Sequence, residues 1–219
     1  MKRIPEPELM NDREQAEAYA SADFSEPHNA FVKDFAIRFS NFSTGEVLDL
    51  GCGTADVIIR FALALPGTTI TGVDGSQAML DLGLESVIKN KLDKRINLRK
   101  CLLPDPELSE KTYNAIISNS LLHHLEKSSV LWKTVKDCSR KGTLTYIMDL
   151  MRPDSVGAAK KIVQTYAGEE QQILQKDFFN SLCAAYTPEE IEDQLQAESL
   201  NHLKVESVSD RHLIIWGRR

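Results

Sequence analysis

Two glycines and two acids carry the first chemical signal in this chain. In "VLDLGCGTADVIIRFA", residues 47–62, Gly51 and Gly53 stand between an apolar run and an amphipathic one. Glycines at such a junction let backbone approach a ligand with no side chain intervening. Asp49 lies just ahead of them. Asp74 ends a second apolar run, "TITGVD", about 20 residues downstream, where an acid at a strand tip can bond both ribose hydroxyls of a nucleoside. The plainer readings are a turn that only punctuates the chain and an Asp74 that caps the next helix beside Ser76. A dinucleotide turn reads G-x-G-x-x-G and sets a pyrophosphate on a helix N-terminus. Counting from Gly51, its third glycine falls on Asp56, whose carboxylate repels a pyrophosphate. No G-K-[ST] follows, so a phosphate-binding loop of that type fails as well.

A second signal is the pair His123-His124 in "LLHHL", residues 121–125. Imidazole titrates near neutrality and suits proton transfer; packing or capping of the following helix is the plainer reading. Adjacent histidines lack the i, i+4 spacing of a helical metal pair, and no third ligand is evident, so no metal is expected. The four cysteines, Cys52, Cys101, Cys138 and Cys183, match no zinc or C-x-x-C spacing and read as free, reduced thiols.

The elements that must position these residues alternate. "GEVLDL" reads as a strand and "ADVIIRFALAL" as a helix ended by Pro66-Gly67. "TTITGVD" is a strand and "SQAMLDLGLESVIKN" a helix. "INLRKC" and "YNAIISN" are strands around the loop "LLPDPELSEKT". "LEKSSVLWKTVKDCS" is mostly helix and "GTLTYIMDL" a strand. Five strands alternating with helices predict a mainly parallel sheet covered on both faces. Residues 154–186 read as one or two helices inserted after the fifth strand. In "TPEEIEDQL" Thr187 is an N-cap, Pro188 the first helical residue and Glu190 the partner in a capping box. "LKVESVS" and "RHLIIWG" are too close for a crossover helix and predict an antiparallel hairpin.

Ahead of this core, residues 1–10 read as extended because Pro5 and Pro7 oppose a helix. Residues 12–24 read as a helix, and a second helix runs from about Pro27 to Phe39 with Phe31, Phe35 and Phe39 on one apolar face. The expectation is one α/β domain of 219 residues: a helical cap (1–44), a core (45–153), a helical insertion or lid (154–186), and a last helix with the hairpin (187–219).

Composition narrows the function classes. Lys and Arg number 26 against 32 Asp and Glu, a net charge of −6. No basic face suited to nucleic acid stands out, and "KNKLDKR" (89–95) reads as a solvated helix end. The N-terminus lacks the apolar core of a signal peptide, and no apolar run reaches transmembrane length. These features point to a cytoplasmic protein with neither nucleic acid nor membrane as partner.

"VLDLGCGTADVIIRFA", "TITGVDGSQAML", "YNAIISNSLLHHL" and "YIMDLMRP" together resemble the class I S-adenosylmethionine-dependent methyltransferases over roughly residues 45–150. The resemblance implies a Rossmann-like, seven-stranded, mainly parallel sheet whose seventh strand is reversed, with S-adenosylmethionine as cofactor. Asp49, Gly51 and Gly53 would line its methionine end. Asp74 would take the ribose, Gly75-Ser76 would lie near the adenine edge, and Asn119 would sit between cofactor and substrate chamber. Many relatives place an acid after the third strand against the adenine amino group; Leu102 stands there, leaving adenine to backbone groups and apolar contact, or to Asp105 from a shifted loop. In plant and polyketide O-methyltransferases a histidine in a similar place is the general base, and His123 matches it best.

The leading expectation is methyl transfer to a small molecule, with an oxygen nucleophile favoured on account of His123. "SNSL" stands where adenine- and glutamine-amide N-methylating groups carry an "NPPY"-type tetrapeptide. A non-catalytic cofactor-binding partner protein and a nicotinamide-dependent oxidoreductase are the alternatives. Tyr19, Asp23, Tyr166, Phe178, Phe179 and Tyr186 are candidates for closing a lid, with core packing as the competing reading. Arg152 sits where a substrate anion could meet it or where a loop charge is merely solvated.

Overall fold

The structure, a computed structural model, describes residues 1–6, 11 and 13–219. Residues 1–6 form no regular element; the rest of the expected extended segment, 7–10, and Asp12 of the expected first helix lie outside the described residues. Two helices, α1 (Arg13–Ser21) and α2 (Ser25–Arg38), precede the alternation. The core follows as β1 (Thr44–Leu50), α3 (Asp56–Ala64), β2 (Gly67–Asp74), α4 (Gln77–Lys89), β3 (Ile96–Lys100), β4 (Ala115–Asn119), α5 (Ser129–Cys138) and β5 (Leu144–Leu150). Residues 154–186 hold two helices, α6 (Val156–Ala167) and α7 (Gln172–Ala184), and the chain ends with α8 (Pro188–Ala197), β6 (Leu203–Ser207) and β7 (His212–Arg218).

The seven strands lie in the order β3-β2-β1-β4-β5-β7-β6. Pairing is parallel from β3 to β5, and β7 runs antiparallel to both β5 and β6. The hairpin expected at the C-terminus is therefore also what reverses the sheet. Strand order turns back at β1 and β4, the position where open α/β sheets bind ligands beyond the strand ends.

Successive strand residues face opposite sides, so apolar runs feed two cores. Val47, Ile117, Tyr146 and Ile214 join the α2–α3–α4 face, while Leu48, Ile116, Ile147 and Ile215 join the face covered by α5 and α8. The phenylalanine stripe of α2 is packing: Phe31 and Phe35 are fully buried and Phe31 meets Tyr146 edge-on at 4.8 Å. Tyr146 Oη donates to Asp34 at 2.8 Å, which seats α2 across β5. The α8 capping box forms as expected, with Thr187 Oγ1 accepting from Glu190 N and Glu190 Oε2 from Thr187 N.

Residues 1–6 are tied across the open end of the sheet. Arg3 Nε donates to Ala184 O at 2.6 Å, and Arg3 Nη2 donates to the carbonyls of His123 and Leu125 at 3.2 and 3.1 Å. Its guanidinium lies 4.0 Å over the Tyr186 ring. One side chain thus joins the end of α7 to the turn after β4.

Candidate active site

The β1–α3 turn is held against the tip of β2. Gly51 N and Cys52 N both donate to Val73 O, at 2.8 and 3.0 Å. Gly51 and Gly53 adopt φ of +76° and +52°, the left-handed region that favours glycine. What approaches Gly51 is protein: a Cβ there would stand 2.9 Å from a methyl of Leu121 in the β4 exit loop. Gly53 has room, with only Met79 Cε at 3.4 Å. The backbone at Gly53 is therefore open to close approach, whereas at Gly51 the glycine lets two loops touch.

Asp74 does not cap α4. Ser76 does, accepting from Met79 N at 3.2 Å. Asp74 Oδ2 accepts from Gly53 N and Oδ1 from Ser76 N, each at 2.8 Å. The carboxylate fixes the glycine turn to the β2 exit and retains lone pairs for a further donor. Burial lifts its carboxyl above the ordinary value although the N–H groups of Ser76, Gly53 and Gly75 pull the other way. Asp49 is 2 % exposed and its Oδ1 has no partner among the described residues. Burial first, and then the charge of Asp74, push its carboxyl up to about 8.

The remaining cofactor candidates lie at the carboxyl ends of β2, β3 and β4. Gly75 leads into the Ser76 cap, and Asn119 ends β4, where the chain turns off through Ser120 at φ +57°. Leu102 is 64 % exposed and follows Cys101, whose N–H donates to Asp74 O at 2.8 Å. Asp105 is engaged elsewhere: it pairs with Arg99 and accepts from Cys101 Sγ at 3.3 Å and Glu107 N at 2.9 Å. Its expected alternative role is not supported by that geometry.

Asp56 stands in the first turn of α3, in place of the third glycine of a dinucleotide turn. It meets His28 Nδ1 at 2.6 Å and Arg60 Nε at 2.7 Å. Burial opposes its ionisation, but those two partners prevail and hold it down to about 2. From α1, Tyr19 faces the same acids; burial, then Asp56 and Asp74, push its hydroxyl up to about 12. Asp23 is used locally, accepting from Ser25 N at 2.9 Å.

The residue that sequence reading overlooked is Asp149. Its carboxylate is 1 % exposed and receives Leu122 N, Leu150 N and His123 Nδ1 at 2.7, 2.7 and 2.6 Å. Burial alone would raise this carboxyl; His123 and the two N–H groups outweigh it and hold it below the ordinary value. An acceptor-only carboxylate requires that Nδ1 carry a proton, so in the neutral tautomer of this ring the lone pair is on Nε2. The available signal was an acid inside the apolar strand "YIMDL".

His124 stacks on His123 with centroids 4.1 Å apart, and burial followed by the charge of His123 drives its pKa down to about 3. His212, paired with Leu150 across β5–β7, is pushed down to about 4 by burial and then Arg211, and it senses both Asp149 and His123. One carboxylate thus bonds His123 and acts electrostatically on His124 and His212.

Other candidates fall away from the cleft. Arg152 is an internal brace, bonding Glu190 Oε1 at 2.6 Å and Ala185 O at 3.0 Å. A cavity of about 530 Å³ beside it is lined by Asp154, Lys161, Ile162, Thr165 and Glu189 and includes no residue of the glycine turn. Phe178 and Phe179 pack in the α6–α7 core, and Tyr166 donates to Asp210 at 3.0 Å beneath Arg211. Among the described residues no three His, Cys, Asp or Glu side chains gather as a metal site, and no helix is long and apolar enough to cross a membrane.

Residues 48–145 match the methyltransferase domain family. A release factor glutamine methyltransferase of Rhodopirellula baltica is 31% identical over 107 residues, 49% of this chain and 36% of that protein. A demethylmenaquinone methyltransferase of Porphyromonas gingivalis is 27% identical over 165 residues, 74% of this chain and 66% of that protein. The chain spans about a third of the length of the first curated relatives it matches. Among solved structures, the plantazolicin methyltransferase BpumL with S-adenosylhomocysteine superposes with a TM-score of 0.69 at 16% identity, covering 96% of this chain and 93% of that one. Human N-acetylserotonin methyltransferase with S-adenosylmethionine superposes with a TM-score of 0.67 at 15% identity, covering 99% and 60%.

Proposed function

We propose that this chain, whose residues 48–145 match a methyltransferase domain and whose fold superposes on that of a methyltransferase, transfers a methyl group from S-adenosylmethionine to the oxygen of a small-molecule acceptor. The observation that carries the reading is the glycine turn joined to the strand-tip acid, Gly53 N to Asp74 Oδ2 at 2.8 Å, beside a buried carboxylate with an unused oxygen. A cationic nucleoside cofactor fits that donor set. Asp74 offers its free lone pairs to the ribose, Gly53 lets the ligand approach backbone, and Asp49 faces the methionine end. Gly75, Ser76 and the exposed Leu102 border the adenine, and Asn119 stands on the acceptor side.

The bound cofactor supplies the activated methyl and leaves as a neutral thioether, so the protein's share is alignment, exclusion of water and management of one proton. His123 Nε2 takes that proton from the acceptor hydroxyl, and Asp149 holds the ring in the tautomer that leaves Nε2 unprotonated. The helices α6 and α7 and the N-terminal helices form the lid. The net charge of −6 and the absence of a proline-bearing tetrapeptide after β4 favour a small acceptor over nucleic acid or a protein amide, although two relatives are named for a release factor's glutamine.

Calorimetric titration with S-adenosylmethionine, with NADH as control, tests the cofactor. Micromolar binding of the first alone is expected, weakened in Asp74→Ala by about 1–3 kcal/mol for a lost charged hydrogen bond. Equal affinity in that variant would sink the assignment. A second reading, cofactor binding without chemistry, takes support from Leu102 standing where an acid is common. Turnover on any hydroxylated acceptor of a screening panel removes it.

A further inference from the structure

A buried oxygen with no hydrogen bond is rare in folded proteins and calls for a reason. Asp49 Oδ1 is such an atom, two residues before the glycine turn. Asp49 lies within the buried stretch of β1, flanked by Gly72 of β2 and Ile117 of β4, neither of which offers a charge. The ionisable group that acts on it is Asp74 at the tip of β2, and Asp49 in turn raises the thiol of Cys52 in the glycine turn. Tyr19 of α1 is raised by burial, by Asp56 and by Asp74, and stays neutral. Among the described residues no lysine, arginine or histidine is a cause of the shift of either acid. Two carboxyl groups thus share a water-poor pocket with no fixed cation between them, an arrangement that ionises fully only when a positive charge arrives from outside.

We propose that Asp49 reads the positive charge of the cofactor: it carries a proton in the free protein and gives it up to solvent when the cationic methyl donor enters, so that donor binding releases one proton. The inference rests on the cofactor reading above. The raised carboxyl of Asp49, at about 8, keeps it protonated in the free protein at neutral pH. A ligand with a sulfonium and an ammonium favours the carboxylate, and no covalent step or co-reactant is involved. The linkage has a definite sign. Below pH 8 affinity for the donor falls as pH falls, by about tenfold per pH unit, because a proton must be displaced.

The test is calorimetric titration of the full chain with S-adenosylmethionine at pH 6.5, in phosphate and in imidazole buffer. At that pH the donor's own amino group, with an ordinary pKa of about 7.7–8.0, is already protonated. Wild type should release about one proton per donor bound, read from the difference in heat between the buffers. Asp49→Asn, which cannot hold the proton, should release none and should bind with an affinity that does not change between pH 6 and 7.5. Equal heats for wild type in both buffers would overturn the proposal while leaving the cofactor reading standing. An unchanged proton count in the variant overturns it as well. Should the variant not fold, a wild-type affinity that is flat from pH 6 to 7.5 overturns it without the variant. No binding at all sinks both readings together.

Discussion

His123 and Asp149 show what a carboxylate can do for a ring. Held by three donors and buried, Asp149 stays ionised and pins Nδ1–H, which leaves His123 one basic nitrogen in a fixed direction. If His123 is the base, Asp149→Asn should lower kcat by roughly 10²–10⁴-fold, the range of general-base contributions, with donor affinity unchanged. The pH–rate profile separates this from simple damage: the acid limb should shift, because the partner that favours imidazolium has been neutralised. A variant with an unmoved profile and near-normal turnover would assign the pair to packing alone. The neighbouring His124 and His212 are pushed toward neutrality by burial and carry no charge at pH 7. They surround His123 with uncharged rings.

At the scale of elements, the turn that carries His123 is short. Leu122–His124 is a single 3₁₀ turn between β4 and α5, too brief to be rigid by its own hydrogen bonds. Its rigidity comes from outside, through Leu122 N on Asp149 and Arg3 on the carbonyls of His123 and Leu125. The same guanidinium holds Ala184 O at the end of α7 and stacks on Tyr186, so this turn and the end of α7 share one pin. Arg3→Ala should therefore speed amide hydrogen exchange both at residues 122–125 and at 183–186, while the amides of β1 and β4 keep their protection. Faster exchange at only one of the two segments would show that the pin does not couple them. Helix α8 needs no such help, because its capping box satisfies the start of the helix from within.

At the scale of the molecule, the sheet divides the labour between its two ends. One end closes the cores; at the other, β1, β2 and β4 present the glycine turn, Asp74 and Asn119 to a single cleft. A ligand that binds only the folded cleft stabilises the whole chain by mass action. At one-hundred-fold excess over Kd the gain is about 2.7 kcal/mol, and at about 2–4 °C per kcal/mol for a chain of this size Tm should rise by roughly 5–11 °C. Differential scanning calorimetry with S-adenosylmethionine and with NADH checks this. A rise with the nicotinamide instead would return the oxidoreductase reading, against the electrostatics of Asp56.

The strands, the helices of the core and the terminal hairpin were readable because each is a local pattern: apolar periodicity, glycine and proline stops, and the Thr187–Glu190 cap. The glycine turn and Asp74 were readable because a strand tip needs no long-range contact to be located. Two helices in 154–186 rather than one, the internal bracing by Arg152 and the engagement of Asp105 with Arg99 followed from contacts that spacing does not encode. The largest addition was Asp149. It stands 26 residues from His123 in sequence and 2.6 Å from it in space, because β4 and β5 are parallel neighbours and side chains at their ends converge. Pattern along a chain records which residues share an element. Which elements lie side by side, and so which charges meet in the absence of water, is decided only when the sheet assembles.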